Sequence, residues 1–137
     1  MQIAFYGKLY LATLPVFFAI DLLWLGVVAR GVYQRNLSHL LSPAVNWPAA
    51  LLFYLIYIAG IILFAVRPAL SDQSLATAAL WGALFGFFTY MTYDLTNLAT
   101  LRDWPVSIVL IDVAWGTVLC TLVACGSYLI GRWLGGP

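Results

Sequence analysis

The stretch Tyr90-Met91-Thr92-Tyr93-Asp94-Leu95-Thr96-Asn97-Leu98 closes the third of four long apolar segments in the chain. Asp94 and Asn97 are three residues apart, so on a helix they share one face. A carboxylate inside an apolar segment is costly in a membrane, and it usually faces protein or water. We therefore predict that this face points towards the other segments and that Asp94 has a partner or a ligand there.

The composition around this stretch indicates a membrane protein. Of the 137 residues, 64% are hydrophobic and 8% are charged, whereas soluble domains are about 45–50% apolar and about 25% charged. A soluble fold could not bury so much apolar surface, so we expect the lipid bilayer to be the solvent. The net charge is +1 and no cluster of Lys and Arg exists, so no nucleic-acid partner is expected.

The four apolar segments are each long enough to cross a hydrocarbon core about 30 Å thick. The predicted fold is all-α: a polytopic membrane protein with four transmembrane helices in one antiparallel bundle, forming a single domain over residues 1–137. The expected spans are about 9–29, 48–66, 75–98 and 106–130. The first is interpreted as a retained span, because its apolar run exceeds that of a signal peptide. Arg67-Pro68 is expected to end the second span.

Small residues predict where the helices approach closely. Gly82 and Gly86 form a G-x-x-x-G pattern in the third span, and Gly116 lies in a row of small residues in the fourth. Such patterns are typical of close helix packing, within a chain or between two copies. Cys120 and Cys125 are five apart and point to different helix faces, so no disulfide between them is expected.

Polar side chains are predicted to gather in one half of the membrane. We call the side that holds both termini side A and the opposite side, which holds the first and third connections, side B. The polar and aromatic residues of the four spans fall mostly in the side B half, whereas the half around Phe17, Ile61, Leu80 and Leu122 is almost wholly apolar. This predicts a pocket open to side B and sealed towards side A. The candidate ligand-binding residues are Asp21, Trp24, Tyr54, Tyr57, Tyr90, Tyr93, Asp94, Asn97, Arg102, Asp112 and Trp115.

No familiar chemical motif accompanies these residues. The sequence contains no nucleophile triad, phosphate loop, haem motif or nucleotide fingerprint, and it identifies no cofactor. No metal site is predicted, because His39 is the only histidine and is expected to face solvent or headgroups. Three carboxyl groups placed close together would need a proton, a metal cation, Arg102 or an organic cation to neutralise them.

The orientation of the chain in the membrane does not follow from its basic residues. Side A carries Lys8, Arg67 and Arg132, and side B carries Arg30, Arg35 and Arg102. The positive-inside rule counts Lys and Arg in short loops and therefore gives a tie. Insertion in both orientations is left open by this count.

Several short motifs together resemble a family of predicted four-span membrane proteins of bacteria whose function is unknown. The motifs are Asp21-Leu22-Leu23-Trp24 and Asp112-Val113-Ala114-Trp115, which share the pattern D-x-x-W, together with Tyr93-Asp94-Leu95-Thr96-Asn97-Leu98-Ala99-Thr100 and Trp104-Pro105. The resemblance covers nearly the whole chain. It implies a multi-pass protein of the bacterial inner membrane and implies no activity.

Three classes of function are compatible with these patterns. The first is a protein that binds or transports a small cationic or hydrogen-bonding molecule in the acidic pocket, where Trp and Tyr rings suit a cation. The second is a structural or interaction subunit that uses Gly82 and Gly86 to dimerise or to dock on another protein. The third is a membrane-embedded enzyme, or a subunit of one, that acts on a lipid or isoprenoid with paired carboxylates as acid and base or as ligands of a divalent metal.

Overall fold

The computed structural model describes all residues, Met1–Pro137. Every regular element is helical and no strand is present. Four helices are long and apolar enough to cross a membrane: Gln2–Val28, Trp47–Asp72, Leu75–Thr100 and Val106–Trp133. At 1.5 Å per residue each is about 40 Å long, enough for the hydrocarbon core and both headgroup regions. The predicted all-α, four-span membrane fold is confirmed.

The first span and the connection after it contain three helical elements. Helix α1, Gln2–Leu23, continues into a π-helical turn at Trp24–Val28. Gly31 then reverses the chain with a φ of +82°, which a side chain would strain. The short helix α2, Val32–Leu37, follows in the connection on side B.

The sequence pattern predicts that the second span ends at Arg67-Pro68, but the helix continues beyond these residues. Helix α3, Trp47–Ile61, passes through a π-helical turn at Ile62–Val66 into helix α4, Arg67–Asp72. Pro68 lies in the first turn of α4, where its missing N–H is tolerated. The left-handed Gln73, with a φ of 50°, ends the helix instead.

The third and fourth spans are the longest uninterrupted α-helices. Helix α5 is Leu75–Thr100, and its N-terminus is capped by Ser74, whose side chain accepts a hydrogen bond from the Thr77 N–H. Helix α6 is Val106–Trp133. It follows Pro105, whose ring disfavours a helical conformation of the preceding residue, so the helix begins here. Both helices extend past the apolar runs that delimit the predicted spans, because polar residues at their ends also adopt helical conformation.

The helices form an antiparallel ring in the order α1, α6, α5, α3. Opposed residues show the directions. Thr13 of α1 hydrogen-bonds Ser127 of α6 at 2.8 Å, and Tyr57 of α3 hydrogen-bonds Thr89 of α5 at 2.8 Å. Phe64, later in the second span, stacks on Phe85, which is earlier in α5. This arrangement brings the side B halves of all four spans together.

The glycine pattern joins α5 to α6 of the same chain. A Cβ atom at Gly82 would lie 2.7 Å from the Cys120 carbonyl oxygen, and one at Gly86 would collide with the Gly116 carbonyl. Gly116 in turn accommodates the Tyr90 ring, which a Cβ would also meet. The surface of these glycines is therefore occupied within the chain, and it is not available to a second copy.

The main apolar core lies in the side A half, and the outer surface of the bundle is apolar as well. Leu9, Phe17 and Ile61 are fully buried in this core. On the outside, Ile56 is 63% exposed and Leu110 is 68% exposed. Large exposed apolar side chains around a bundle of this kind face lipid. Both cysteines are free thiols.

Candidate functional site

A cavity of about 510 Å³ lies between the side B halves of the four spans. The two connections on side B contribute Tyr33, Leu37, Leu41 and Trp104 to its walls. Most of the other lining residues are aromatic, and neither Lys, Arg nor His is among them: they are Asp21, Trp24, Leu25, Phe53, Tyr54, Tyr57, Thr89, Tyr90, Tyr93, Ile108, Asp112 and Trp115.

Asp21 is held in this wall by two other helices. Its Oδ1 accepts a hydrogen bond from the Trp115 indole N–H of α6 at 3.3 Å, and its Oδ2 accepts one from the Tyr54 hydroxyl of α3 at 3.4 Å. Both distances are long for hydrogen bonds to a carboxylate, so each is weak. Asp21 is therefore oriented by its neighbours but is not saturated by them.

Asp112 is held by a residue of the first connection. The Tyr33 hydroxyl donates to Asp112 Oδ1 at 2.8 Å and accepts from the Trp24 indole N–H at 3.1 Å. Burial, reinforced by the Asp112 carboxylate, raises the pKa of the Tyr33 phenol, so the hydroxyl remains a donor. The short helix α2 thus places a phenol over the acidic group of α6.

The two D-x-x-W motifs are crossed in space. Each Trp lies one turn after its own Asp, yet Trp115 donates to Asp21, and Trp24 reaches Asp112 through Tyr33. The two indole rings stack with centroids 4.4 Å apart and an interplanar angle of 5°. Because α1 and α6 are antiparallel, the two motifs meet at the same depth and form one acidic and aromatic wall.

Asp94 lies beside this wall and is completely buried, with an exposed fraction of 0%. Its neighbours are Asp112 and Trp104, yet neither of its carboxyl oxygens has a hydrogen-bond partner. The indole N–H of Trp104 is also buried without a partner. Buried polar atoms without a hydrogen-bond partner are rare in proteins, so the Asp94 carboxyl group and the Trp104 N–H form an unusual pair.

The inner end of the cavity is closed by a second set of hydroxyl groups. Tyr57 lies within hydrogen-bonding distance of Thr89 at 2.8 Å and of the Cys120 thiol at 3.2 Å. The buried Phe17 packs edge-on against Tyr57 from the side A core. Tyr57 and Phe17 both belong to the main apolar core, which therefore begins at this end of the cavity.

Most of the candidate residues meet at this site, but three of them do not line the cavity. Asp94 lies behind Asp112, as described above, and Asn97 lies one helical turn further towards side B, half-buried. Arg102 is exposed in the connection between α5 and α6. His39 is exposed, and its Nε2 lies 3.0 Å from the Asp103 carbonyl, so it ties the two side B connections together.

Eight of the sixteen lining residues are missing from the sequence-based candidates, and two of these eight, Tyr33 and Trp104, bear directly on the aspartates of the site. Tyr33 is the only tyrosine of the first connection, and Trp104 belongs to the Trp104-Pro105 motif. Both lie outside the predicted spans, where an aromatic residue is usually an interfacial anchor. Only the folding of the two connections over the bundle brings them to the cavity.

The comparisons with known proteins give a family and no closer relative. The sequence pattern of the family described as "Predicted membrane protein (DUF2177)" matches residues 6–129, which include Asp21, Asp94 and Asp112. No curated protein and no solved structure matches the chain.

Proposed function

The chain belongs to the DUF2177 family of predicted membrane proteins, and we propose that it binds or transports a small cationic or hydrogen-bonding molecule in the side B cavity. The observation that carries this proposal is the lining itself. Two carboxylates and a set of aromatic rings face one cavity, and no basic side chain balances them. By its resemblance to bacterial four-span proteins, we also propose that it resides in the bacterial inner membrane.

The electrostatics favour an organic cation over a neutral molecule. A charged group inside a membrane costs about 2.5–3.5 kcal/mol on insertion scales, and Asp21 and Asp112 find only neutral donors. A ligand with a positive charge would offset part of that cost. The faces of Trp and Tyr rings attract quaternary ammonium groups by about 0.5–2 kcal/mol each, which adds to the same preference.

The size and the position of the cavity support the same class of ligand. A volume of about 510 Å³ falls within the range of about 300–1,000 Å³ that is usual for small-molecule sites. We expect the ligand to enter from side B, where residues of both connections line the cavity. Transport to side A requires the contacts of Tyr57 with Thr89 and Cys120 to open, because these close the inner end.

Binding of choline tests the proposal directly. Titration calorimetry on the protein in lipid nanodiscs should show choline binding, and 3,3-dimethyl-1-butanol, a neutral molecule of the same shape, should bind more weakly. The Asp21→Asn, Asp112→Asn double variant should lose about tenfold to hundredfold in choline affinity, as expected for hydrogen-bonded charges. Asp72→Asn, an exposed carboxylate on side A, is the matched control.

Uptake of labelled choline into proteoliposomes then separates transport from binding. Transport requires uptake by the wild type and its loss in the Asp21→Asn, Asp112→Asn double variant. If that variant bound and moved choline as well as the wild type does, the proposal would be wrong. The carboxylates would then serve only to hold the helices together.

A further inference from the structure

Asp94 is the one acidic side chain of the site that the proposed ligand does not reach. It is fully buried, it does not line the cavity, and both of its oxygens lack a donor. An ionised carboxylate in such a place would bear the full cost of desolvation with nothing to offset it. The structure therefore requires a neutralising group at Asp94.

The candidates for that group can be counted from the surroundings. Arg102 is exposed in its connection, and no Lys, Arg or His lines the cavity. No group of three or more metal-binding side chains exists in the chain. What remains beside Asp94 is the carboxyl group of Asp112 and the indole of Trp104. Two neighbouring carboxyl groups are stabilised when one of them carries a proton and donates it to the other.

We propose that Asp94 carries a proton, which it donates in a hydrogen bond to the Asp112 carboxylate, and that this proton leaves to side B when a cation enters the cavity. This inference rests on the proposed function for its second half only. On release, the O–H bond of Asp94 breaks and the proton passes by way of Asp112 to water in the cavity. The bound cation replaces the lost positive charge, so the net charge of the site does not change.

The surroundings supply a route for the proton and a resting place for the charge. Asp112 lines the cavity, so it connects the buried Asp94 with side B. The unpartnered Trp104 N–H lies beside Asp94 and becomes its donor once the proton has left.

The other titratable groups around the pair carry at most one further charge. Asp21 of α1 is the only other carboxyl group that faces the site. The remaining groups are neutral phenols and one thiol, and no basic group faces the pair. They are Tyr33 of α2, Tyr54 and Tyr57 of α3, Tyr90 and Tyr93 of α5, and Cys120 of α6.

The first experiment needs no ligand. The chain has only five aspartates and no glutamate, so NMR of protein labelled with ¹³C at the Asp carboxyl carbons resolves each group. At neutral pH one resonance should have the chemical shift of a protonated acid, and it should vanish in Asp94→Asn but persist in Asp72→Asn. Five resonances of ionised carboxylates would overturn the inference.

The second experiment measures the exchange. Calorimetry of choline binding in buffers of different ionisation enthalpy should show the release of about one proton per bound cation. Choline affinity should therefore fall about tenfold for each unit of decrease in pH. Asp94→Asn should bind choline without proton release. Trp104→Phe, which keeps an aromatic ring and removes the N–H donor, should bind choline more weakly and leave the protonated resonance in place.

The outcomes distinguish this inference from the proposed function. Choline binding without proton release would overturn the exchange and leave the binding site standing. No choline binding would overturn both the proposed function and the exchange step, whereas the acid resonance of Asp94 would still establish the buried proton. Because Asn preserves the shape of Asp, a cooperative thermal transition of Asp94→Asn in nanodiscs shows that its result comes from the lost proton and not from misfolding.

Discussion

Tyr33 is the residue on which the acidic wall depends most directly. Its hydroxyl accepts from Trp24 and donates to Asp112, and this is the only side-chain hydrogen bond between the first connection and α6. A hydroxyl that donates to a carboxylate stabilises the ionised carboxylate and at the same time reduces the attraction of that carboxylate for a cation. Tyr33 therefore acts on both the stability of the bundle and the affinity of the cavity.

Tyr33→Phe separates these two effects, because it removes the hydroxyl and keeps the ring. We expect the variant to lose about 1–3 kcal/mol of stability, since Asp112 and Trp24 lose their partner. Choline binding should become a few-fold tighter, because Asp112 is freed of its donor. Thermal unfolding and calorimetry in nanodiscs measure the two quantities. Tyr6→Phe, at the side A end of the bundle, is the control, and a loss of choline binding in Tyr33→Phe would contradict this account.

Individual residues of the site could be predicted only where the chain itself is regular. Asp21, Asp94 and Asp112 interrupt apolar helices, so their depth follows from helical rise. The crossed pairing of Trp24 and Trp115 does not follow, because it depends on the rotation of α1 against α6. Tyr33 and Trp104 lie in connections, whose path over the bundle is set by turns such as Gly31 that leave no periodic signal.

At the scale of elements, the contact of α5 with α6 holds the site together. Gly82, Gly86 and Gly116 let the two backbones approach, and this approach brings Asp94 beside Asp112. The G-x-x-x-G pattern predicts close packing but not its partner, since a helix of the same chain and one of a second copy require the same small residues. The apolar pattern also does not predict the full length of the helices, since α1 begins at Gln2 and the second span continues through Pro68 to Asp72.

Gly86→Ala tests this contact with the smallest possible change. The added methyl group would collide with the Gly116 carbonyl, so we expect a loss of about 1–3 kcal/mol in stability from overpacking. Gly7→Ala is the matched control, because nothing lies within 4 Å of a Cβ atom there. Thermal unfolding in nanodiscs measures both. Equal stability of the two variants, with dissociation of a dimer in Gly86→Ala only, would contradict an intramolecular role and favour the interaction subunit.

At the scale of the whole molecule, the polar groups are distributed unevenly but the basic residues are not. The cavity and the three aspartates of the site lie in the side B half, whereas the side A half is filled by the apolar core around Phe17 and Ile61. Lys8, Arg67 and Arg132 on side A balance Arg30, Arg35 and Arg102 on side B. The side of the membrane that the cavity faces should therefore depend on these basic residues, which lie outside the site.

This balance predicts that a small change in charge sets the orientation. With three basic residues on each side, the positive-inside rule gives no bias, so we expect both orientations in cells. Single cysteines at Gln73 on side A and Ser42 on side B, in a background with Cys120 and Cys125 replaced by Ala, report the orientation through labelling by an impermeant maleimide. Each cysteine should be labelled in part of the molecules.

Added lysines should then shift the labelling in opposite directions. Gly135→Lys with Gly136→Lys places two positive charges on side A, which should turn side A to the cytoplasm and expose only the cysteine at Ser42. Leu40→Lys with Leu41→Lys on side B should expose only the cysteine at Gln73. The matched pairs Gly135→Gln, Gly136→Gln and Leu40→Gln, Leu41→Gln control for changes that alter polarity without charge. A single orientation that resists both lysine pairs would show that a determinant other than loop charge, such as the depth of the acidic cavity, directs insertion.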